Sequence, residues 1–154
     1  MSLSIVLLFF LNACICVKAC EVGWVQFKTN CYMFSQTTST WGEAESICNA
    51  FHSKLAEPMT NEEAEFLISH SQNQAGEFWL GISDIIEEDR WIYSSNQQPI
   101  LVNKFHPSQP NGYTGSGCVA VWKPYHGLWA DEPCSRHYGF ICQKPPESPG
   151  NIIG

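Results

Sequence analysis

The sequence predicts an α+β fold in which two early helices precede several short strands around one long loop. Each helix begins with a capping box, Thr40–Glu43 and Thr60–Glu63, followed by apolar residues at helical spacing. After Gly76 the chain changes to short apolar runs that are typical of buried strands. Helices followed by a run of strands favour an α+β architecture over the alternating pattern of a parallel sheet.

The N-terminal segment 1–19, MSLSIVLLFFLNACICVKA, has the pattern of a secretory signal peptide. Its apolar run, Leu3–Leu11, is shorter than the roughly 20 residues that cross a membrane, and Val17–Ala19 resembles an A-x-A cleavage site. We expect cleavage after this site and secretion of one domain, 20–144, with a flexible tail at 145–154. An uncleaved membrane anchor is the alternative.

Charge and cysteine content narrow the class of protein. The formal net charge is −7 and becomes −8 when Lys18 leaves with the signal peptide, which argues against nucleic acid or an anionic membrane as a partner. Six of the eight cysteines lie beyond the signal peptide, an even number that suits disulfides in a small secreted domain. Spacing alone permits 15 pairings. Because none forms C-x-x-C there, we interpret all six as structural rather than as metal or redox groups.

The N-terminal half is predicted to contain a strand pair and the two helices. Residues 21–34 are rich in aromatic residues and Val, which favours the strand pair. The inward face of the first helix is predicted at Trp41, Ala44, Ile47, Cys48 and Phe51. The inward face of the second helix is predicted at Ala64, Leu67 and Ile68.

The C-terminal half is predicted to contain the remaining strands and the loop. The strands are FWLGI at 78–82, WIY at 91–93, CVAVW at 118–122, a partner beginning with LW at 128–129, and YGFIC at 138–142. Residues 94–117 are rich in Ser, Asn, Gln, Pro and Gly. A structureless loop of this length is uncommon in a compact domain and is usually functional.

Several short motifs follow one another in a characteristic order along 20–142. They are C…W…F…CY at 20–32, W…AE..C at 41–48, FWLGISD at 78–84, QPN at 109–111, CV at 118–119, W-x-D-x-P-C at 129–134 and FIC at 140–142. Each motif alone is weak. In this order, and with six cysteines, the chain resembles a C-type lectin domain of the long form, of the small secreted single-domain kind found in invertebrates.

This resemblance implies disulfides and an activity. It implies the pairs Cys20–Cys31, Cys48–Cys142 and Cys118–Cys134. The family's usual activity is calcium-dependent sugar binding, in which loop oxygens hold the ion and the vicinal hydroxyls of a sugar complete its shell. Such a site suits calcium, which takes 6–8 oxygen ligands. In the family an E-P-N motif implies mannose-type sugars and a Q-P-D motif implies galactose-type sugars.

Compared position by position with the family, the principal calcium site is incomplete. Gln109 and Asn111 match the two motif ligands, but both are neutral, and Asp131 alone keeps its carboxylate. The family's other glutamate corresponds to Ser116, and its asparagine corresponds to Ala130. Because calcium affinity follows the charge of the ligand set, the sequence predicts a weak or degenerate site.

Two further features of the loop region bear on ligand binding. Asp84 and Glu88 match two carboxylates of the family's auxiliary calcium site, but their downstream partners fall on Gly112 and Gly117, so a solvated acidic loop is the favoured interpretation. Tyr113 stands where galactose-type members carry an aromatic that stacks on the sugar, and the motif begins with glutamine. These features favour galactose-type over mannose-type sugars. An exposed loop tyrosine is an equal alternative.

Other candidate residues receive structural interpretations. Trp122 is compatible with either the core or a ligand-facing position. The five histidines form no H-E-x-x-H, and no G-x-S-x-G occurs, so an enzyme is not expected. The tryptophans predicted to be buried in the core are Trp24, Trp41, Trp79, Trp91 and Trp129.

The sequence therefore predicts a secreted lectin that binds glycans through Gln109, Asn111, Tyr113 and Asp131. The resemblance implies a role in innate glycan recognition. The alternative is a domain of the same fold that binds a protein partner or a mineral surface without calcium-dependent sugar binding; the acidic charge suits a mineral or a basic partner. A weak single site favours an oligomer, since linked sites gain avidity, although the sequence has no coiled-coil heptad.

Overall fold

A computed structural model describes residues 20–112, 115 and 117–147. The predicted signal peptide, Tyr113, Ser116 and most of the predicted tail lie outside these residues, so the domain boundaries remain a prediction. Within the described part of the chain, no helix is long and apolar enough to span a membrane.

The two predicted helices are present and begin where the capping boxes place them. Helix α1 is Trp41–Ala50, and helix α2 is Asn61–Gln72. At α1 the Thr40 hydroxyl accepts the Glu43 N–H, and the Glu43 carboxylate accepts the Thr40 N–H at 2.9 Å. Thr60 and Glu63 make the same pair of bonds at α2. These bonds satisfy N–H groups that have no partner within a helix.

Eight strands form one sheet in the order β1-β2-β8-β4-β6-β7, with β3 paired to β8 and β5 paired to β4. The pairs are antiparallel except for β4 with β8. The strands are β1 Val25–Phe27, β2 Asn30–Phe34, β3 Lys54–Leu55, β4 Phe78–Ser83, β5 Ile92–Tyr93, β6 Cys118–Val121, β7 Trp129–Glu132 and β8 Gly139–Lys144. With two helices and this sheet, the α+β prediction is confirmed.

Strand β4 is buried on both faces because each face packs against a different core cluster. Phe78, Leu80 and Ile82 belong to the cluster that contains Leu67 of α2. Trp79 belongs to the cluster that contains α1. Successive side chains of a strand point to opposite faces, so the helices cover opposite sides of the sheet. This burial explains why the sequence of the strand is a nearly continuous apolar run.

The disulfide pairs implied by the resemblance are all present: Cys20–Cys31, Cys48–Cys142 and Cys118–Cys134. The second joins α1 to β8 across 94 residues of sequence. The third joins the end of the long loop to the segment after β7. The third therefore ties β6, the strand that follows the loop, to the segment after β7.

Some local predictions differ from the structure. Phe51 does not face inward but is 51% exposed, because α1 ends at Ala50 and Phe51 adopts non-helical backbone angles as its C-cap. Strand β3 was not predicted, since two residues are too few to show an alternating pattern. A short 3-10 helix, Lys123–Tyr125, was also missed. The strand predicted at 118–122 ends at Val121, one residue before Trp122.

Candidate functional site

The described part of the long loop is packed against the body of the domain. The Phe105 ring lies between Trp91 and Trp129, with ring centroids 5.1 and 5.8 Å away. Val102 is buried in the core cluster that contains α2. Apolar residues inside a polar sequence thus hold this segment, and they place the QPN motif beside β7.

The structure places three of the predicted site residues, Gln109, Asn111 and Asp131, next to one another. The Gln109–Pro110 peptide bond is cis. The Asn111 N–H donates to the Gln109 side-chain oxygen at 3.1 Å and to Asp131 Oδ1 at 2.9 Å. The motif is therefore tied directly to the carboxylate of β7. Their ligand roles remain predictions, and Tyr113 lies outside the described residues.

Within the described part of the chain, one carboxylate oxygen of Asp131 lacks a hydrogen-bond partner. The residue is 3% exposed, and Oδ2 is buried with no partner among the described residues. A buried charged oxygen without compensation is costly. A cation or a ligand hydroxyl placed beside Oδ2 would supply that compensation.

Glu132, the next acid along β7, is engaged elsewhere. Its carboxylate accepts the Tyr138 hydroxyl at 3.1 Å. Burial is the main cause that raises the pKa of Glu132, and the neighbouring charge of Asp131 adds to it. Because adjacent residues of a strand point to opposite faces, Glu132 does not replace the family's missing carboxylate.

A second set of oxygens converges after β4. One carboxylate oxygen each from Asp84, Glu88 and Asp89 lies within 4.8 Å of the others. Asp84 is 4% exposed, and one of its oxygens accepts the Asp89 N–H at 3.0 Å. Desolvation is the main cause that raises the pKa of Asp84, and the nearby Asp131 charge raises it further. The carboxylates carry an electrostatic cost that a cation would offset.

Asp89 is an addition to the residues predicted for this site. The run Glu87-Glu88-Asp89 was visible in the sequence, but only the folded loop shows which acids converge. On the other side, the Gly117 carbonyl accepts the Asp84 N–H at 3.1 Å. A Cβ on Gly117 would lie 3.0 Å from Asp84 Oδ1. The glycine that removes a family ligand therefore also allows the close approach of the loop.

The tryptophans were predicted largely correctly as core residues. Trp122, left open by the sequence, packs edge-on against Tyr138 with ring centroids 5.6 Å apart. It is half-buried beside the cluster that contains α1. The core tryptophans are fully or largely buried at Trp41, Trp79 and Trp129, and half-buried at Trp24 and Trp91.

Residues 37–144 match the family model described as the lectin C-type domain, and the chain belongs to this family. Perlucin of Haliotis laevigata is 30% identical over 129 residues, which cover 81% of this chain and 83% of perlucin. The family consists of binding domains and is generally non-enzymatic.

Two solved structures illustrate the range of this fold. The carbohydrate-recognition domain of the mouse scavenger receptor C-type lectin has a TM-score of 0.78 at 26% identity, covering 84% of this chain and 98% of that one. A calcium-independent type II antifreeze protein has a TM-score of 0.75 at 25% identity, covering 84% and 96%. The fold is thus shared by a sugar-recognition domain and an antifreeze protein, and function must be argued from the site.

Proposed function

We propose that this protein is a secreted lectin that binds terminal sugars at the loop formed by Gln109, Asn111 and Asp131, with Tyr113 as an aromatic neighbour. The observation that carries the proposal is the buried Oδ2 of Asp131, which has no hydrogen-bond partner among the described residues and lies next to the QPN motif. The amide side chains offer donors and acceptors for sugar hydroxyls. The glutamine at the start of the motif and the tyrosine favour galactose-type sugars.

The donor set fits a weakly held calcium ion. Asp131 Oδ2 and the side-chain oxygens of Gln109 and Asn111 are hard oxygen ligands of the kind calcium prefers. The vicinal hydroxyls of a sugar would coordinate the bound ion. With one carboxylate in the set, binding should be weak. Asp84, Glu88 and Asp89 form the proposed auxiliary site, which supplies more charge than the sequence predicted.

Secretion and biological role complete the proposal. The signal-peptide pattern of 1–19 supports release to the extracellular space, and disulfides persist in that oxidising environment. Mass spectrometry of protein secreted by transfected cells should find an N-terminus at Cys20. Innate glycan recognition fits a small secreted lectin. Oligomers would strengthen a weak site, and sedimentation would detect them.

A glycan screen with calcium and with chelator tests the function, alongside calorimetric titration with calcium. The variant Asp131→Asn keeps an oxygen that can accept the Asn111 N–H but removes the charge at Oδ2. We expect it to lower calcium-dependent glycan binding at least about tenfold, since an ionic ligand is lost. Glu45→Gln on α1 is the control, with binding unchanged.

The outcomes of this screen are distinct. Chelator-sensitive binding that is lost in Asp131→Asn supports the metal-bridged lectin. Glycan binding that is unchanged by chelator and by Asp131→Asn contradicts the role of calcium but still supports a lectin. If no glycan binds, the lectin proposal is wrong.

The second candidate is a protein or mineral partner in place of a sugar. Its support is the reduced set of carboxylates in the principal site, together with the similarity to a calcium-independent antifreeze protein. The acidic loop of Asp84, Glu88 and Asp89 is the surface that would meet a cationic mineral face or a basic protein. Retention on calcium carbonate particles, reduced in Asp89→Asn, would favour this candidate if the glycan screen is negative.

A further inference from the structure

We infer that His106 is a positioning residue for the loop that carries Gln109 and Asn111. This inference rests on the proposed sugar site for its effect on affinity. It also concerns the order of the loop itself, which is measurable without a sugar. Neither the motifs nor the family's ligand set assigned a role to this histidine.

The backbone of His106 links the loop to β7. Its N–H donates to the Trp129 carbonyl at 3.0 Å, and its own carbonyl accepts the Gln109 N–H at 2.7 Å. Trp129 lies two residues before Asp131 on the same strand. One residue therefore connects the first amide of the motif to the strand that carries the carboxylate.

The imidazole fixes the turn between these backbone bonds. Nδ1 accepts the Ser108 N–H at 3.2 Å and lies 2.7 Å from the Ser108 hydroxyl. Because a backbone N–H can only donate, Nδ1 is an acceptor here and the ring proton is placed on Nε2. The same ring stacks on Tyr125 of the 3-10 helix, with centroids 4.0 Å apart and planes 13° from parallel.

These contacts hold the motif from the side that Asp131 does not reach. Asp131 Oδ1 ties down Asn111 at one end. His106 ties down Gln109 at the other, through its carbonyl and through the turn at Ser108. Gln109 and Asn111 thus lie between two anchors on β7. Loss of the imidazole contacts leaves the two backbone bonds of His106 in place, so the fold should stay intact while the turn at Ser108 loosens and the glutamine side chain moves relative to Asp131.

The variants His106→Ala and His106→Asn separate positioning from general stability. Asparagine retains an oxygen close to the place of Nδ1 and accepts an N–H two residues on in an Asx-turn, whereas alanine offers no acceptor. We expect amide hydrogen exchange at Gln109 and Asn111 to be at least about tenfold faster in His106→Ala, the effect of losing one net hydrogen bond. His106→Asn should restore most of the protection, and both variants should melt close to the wild type.

Glycan affinity gives the second readout, with immobilised galactose as the probe. His106→Ala should weaken binding about tenfold and His106→Asn by less. Wild-type protein that binds no glycan would contradict the proposed function, while the exchange measurement would still decide the positioning role. Unchanged protection at Gln109 and Asn111 in His106→Ala would overturn the inference, as would equal loss in His106→Ala and His106→Asn.

Discussion

Glu57 is a fully buried acid between β3 and α2 that contacts the start of the long loop at Ser95 rather than the candidate site. Its carboxylate accepts the Ser95 N–H at 2.8 Å and the Ser95 hydroxyl at 2.7 Å, and Lys54 donates to it as well. Its own N–H donates to the Gln143 side chain on β8. The first residues of the loop are therefore anchored by one residue, whose carboxylate binds Ser95 and Lys54 and whose backbone N–H binds Gln143 of β8.

We predict that Glu57→Ala lowers the free energy of unfolding by about 2 kcal/mol, because it removes a fully buried side chain together with its charge-assisted hydrogen bonds to Ser95. The larger cost of breaking a fully buried ion pair does not apply, since Lys54 is partly exposed and can be hydrated. Urea denaturation measures the change. The control is Glu65→Gln, which removes a pair with Lys104 at the surface and should cost less than about 1 kcal/mol. Equal losses in both variants would contradict this role for Glu57.

At the scale of elements, capping makes the stability of α1 depend on pH. The backbone N–H of Thr40 donates to Glu43, and this bond is the main cause that lowers the pKa of the Glu43 carboxyl. A lowered pKa in the folded state means that the unfolded chain binds more protons in acid. The contribution to stability is therefore complete above the ordinary range of a glutamate, near pH 4.3, and is lost as the pH falls below it.

We predict that Glu43→Gln reduces the loss of stability between neutral pH and about pH 3. The substitution removes a carboxyl whose pKa is lower in the folded than in the unfolded state, and with it the proton uptake on unfolding that destabilises the wild type in acid. Urea midpoints of wild type and variant at the two pH values give the comparison. Glu45→Gln on the same helix, whose side chain makes no hydrogen bond among the described residues, is the matched control. A pH dependence identical in Glu43→Gln and wild type would show that the capping bond is absent in solution.

The elements were predictable where a local signal was strong. Both helices begin at their capping residues because those contacts lie within four residues of sequence. The continuous apolar run of β4 identified a strand buried on both faces. Strand β3 left no such signal, because two residues acquire strand structure only by pairing with β8. The exposure of Phe51 depends on where α1 ends. Phe51 continues the apolar spacing of the helix, so the sequence pattern did not indicate that the helix ends at Ala50.

The candidate site was also predictable only where a local sequence motif marked its residues. The QPN motif and Asp131 could be located from the order of motifs, and the structure joins them through the Asn111 N–H. The convergence of Asp89 with Asp84 and Glu88 required the fold of their loop. The His106–Tyr125 stack joins residues that are separated by a strand and carry no shared motif. Contacts between distant loops leave no periodic pattern in a single sequence.

For the whole molecule, the disulfide Cys48–Cys142 is predicted to contribute the most to stability among the three. It closes 94 residues and joins α1 to β8, whereas Cys20–Cys31 closes only 11 residues at the N-terminus. In the chain-entropy model, the longer loop gives about 4.7 kcal/mol and the shorter about 2.8 kcal/mol. The double variant Cys48→Ala/Cys142→Ala should therefore lose about 2 kcal/mol more than Cys20→Ala/Cys31→Ala, with both measured by urea unfolding of the oxidised proteins. If the two double variants lose equal stability, the entropy of loop closure does not set the rank of these bonds, and the local packing of the half-buried Cys20 and the fully buried Cys31 must offset it.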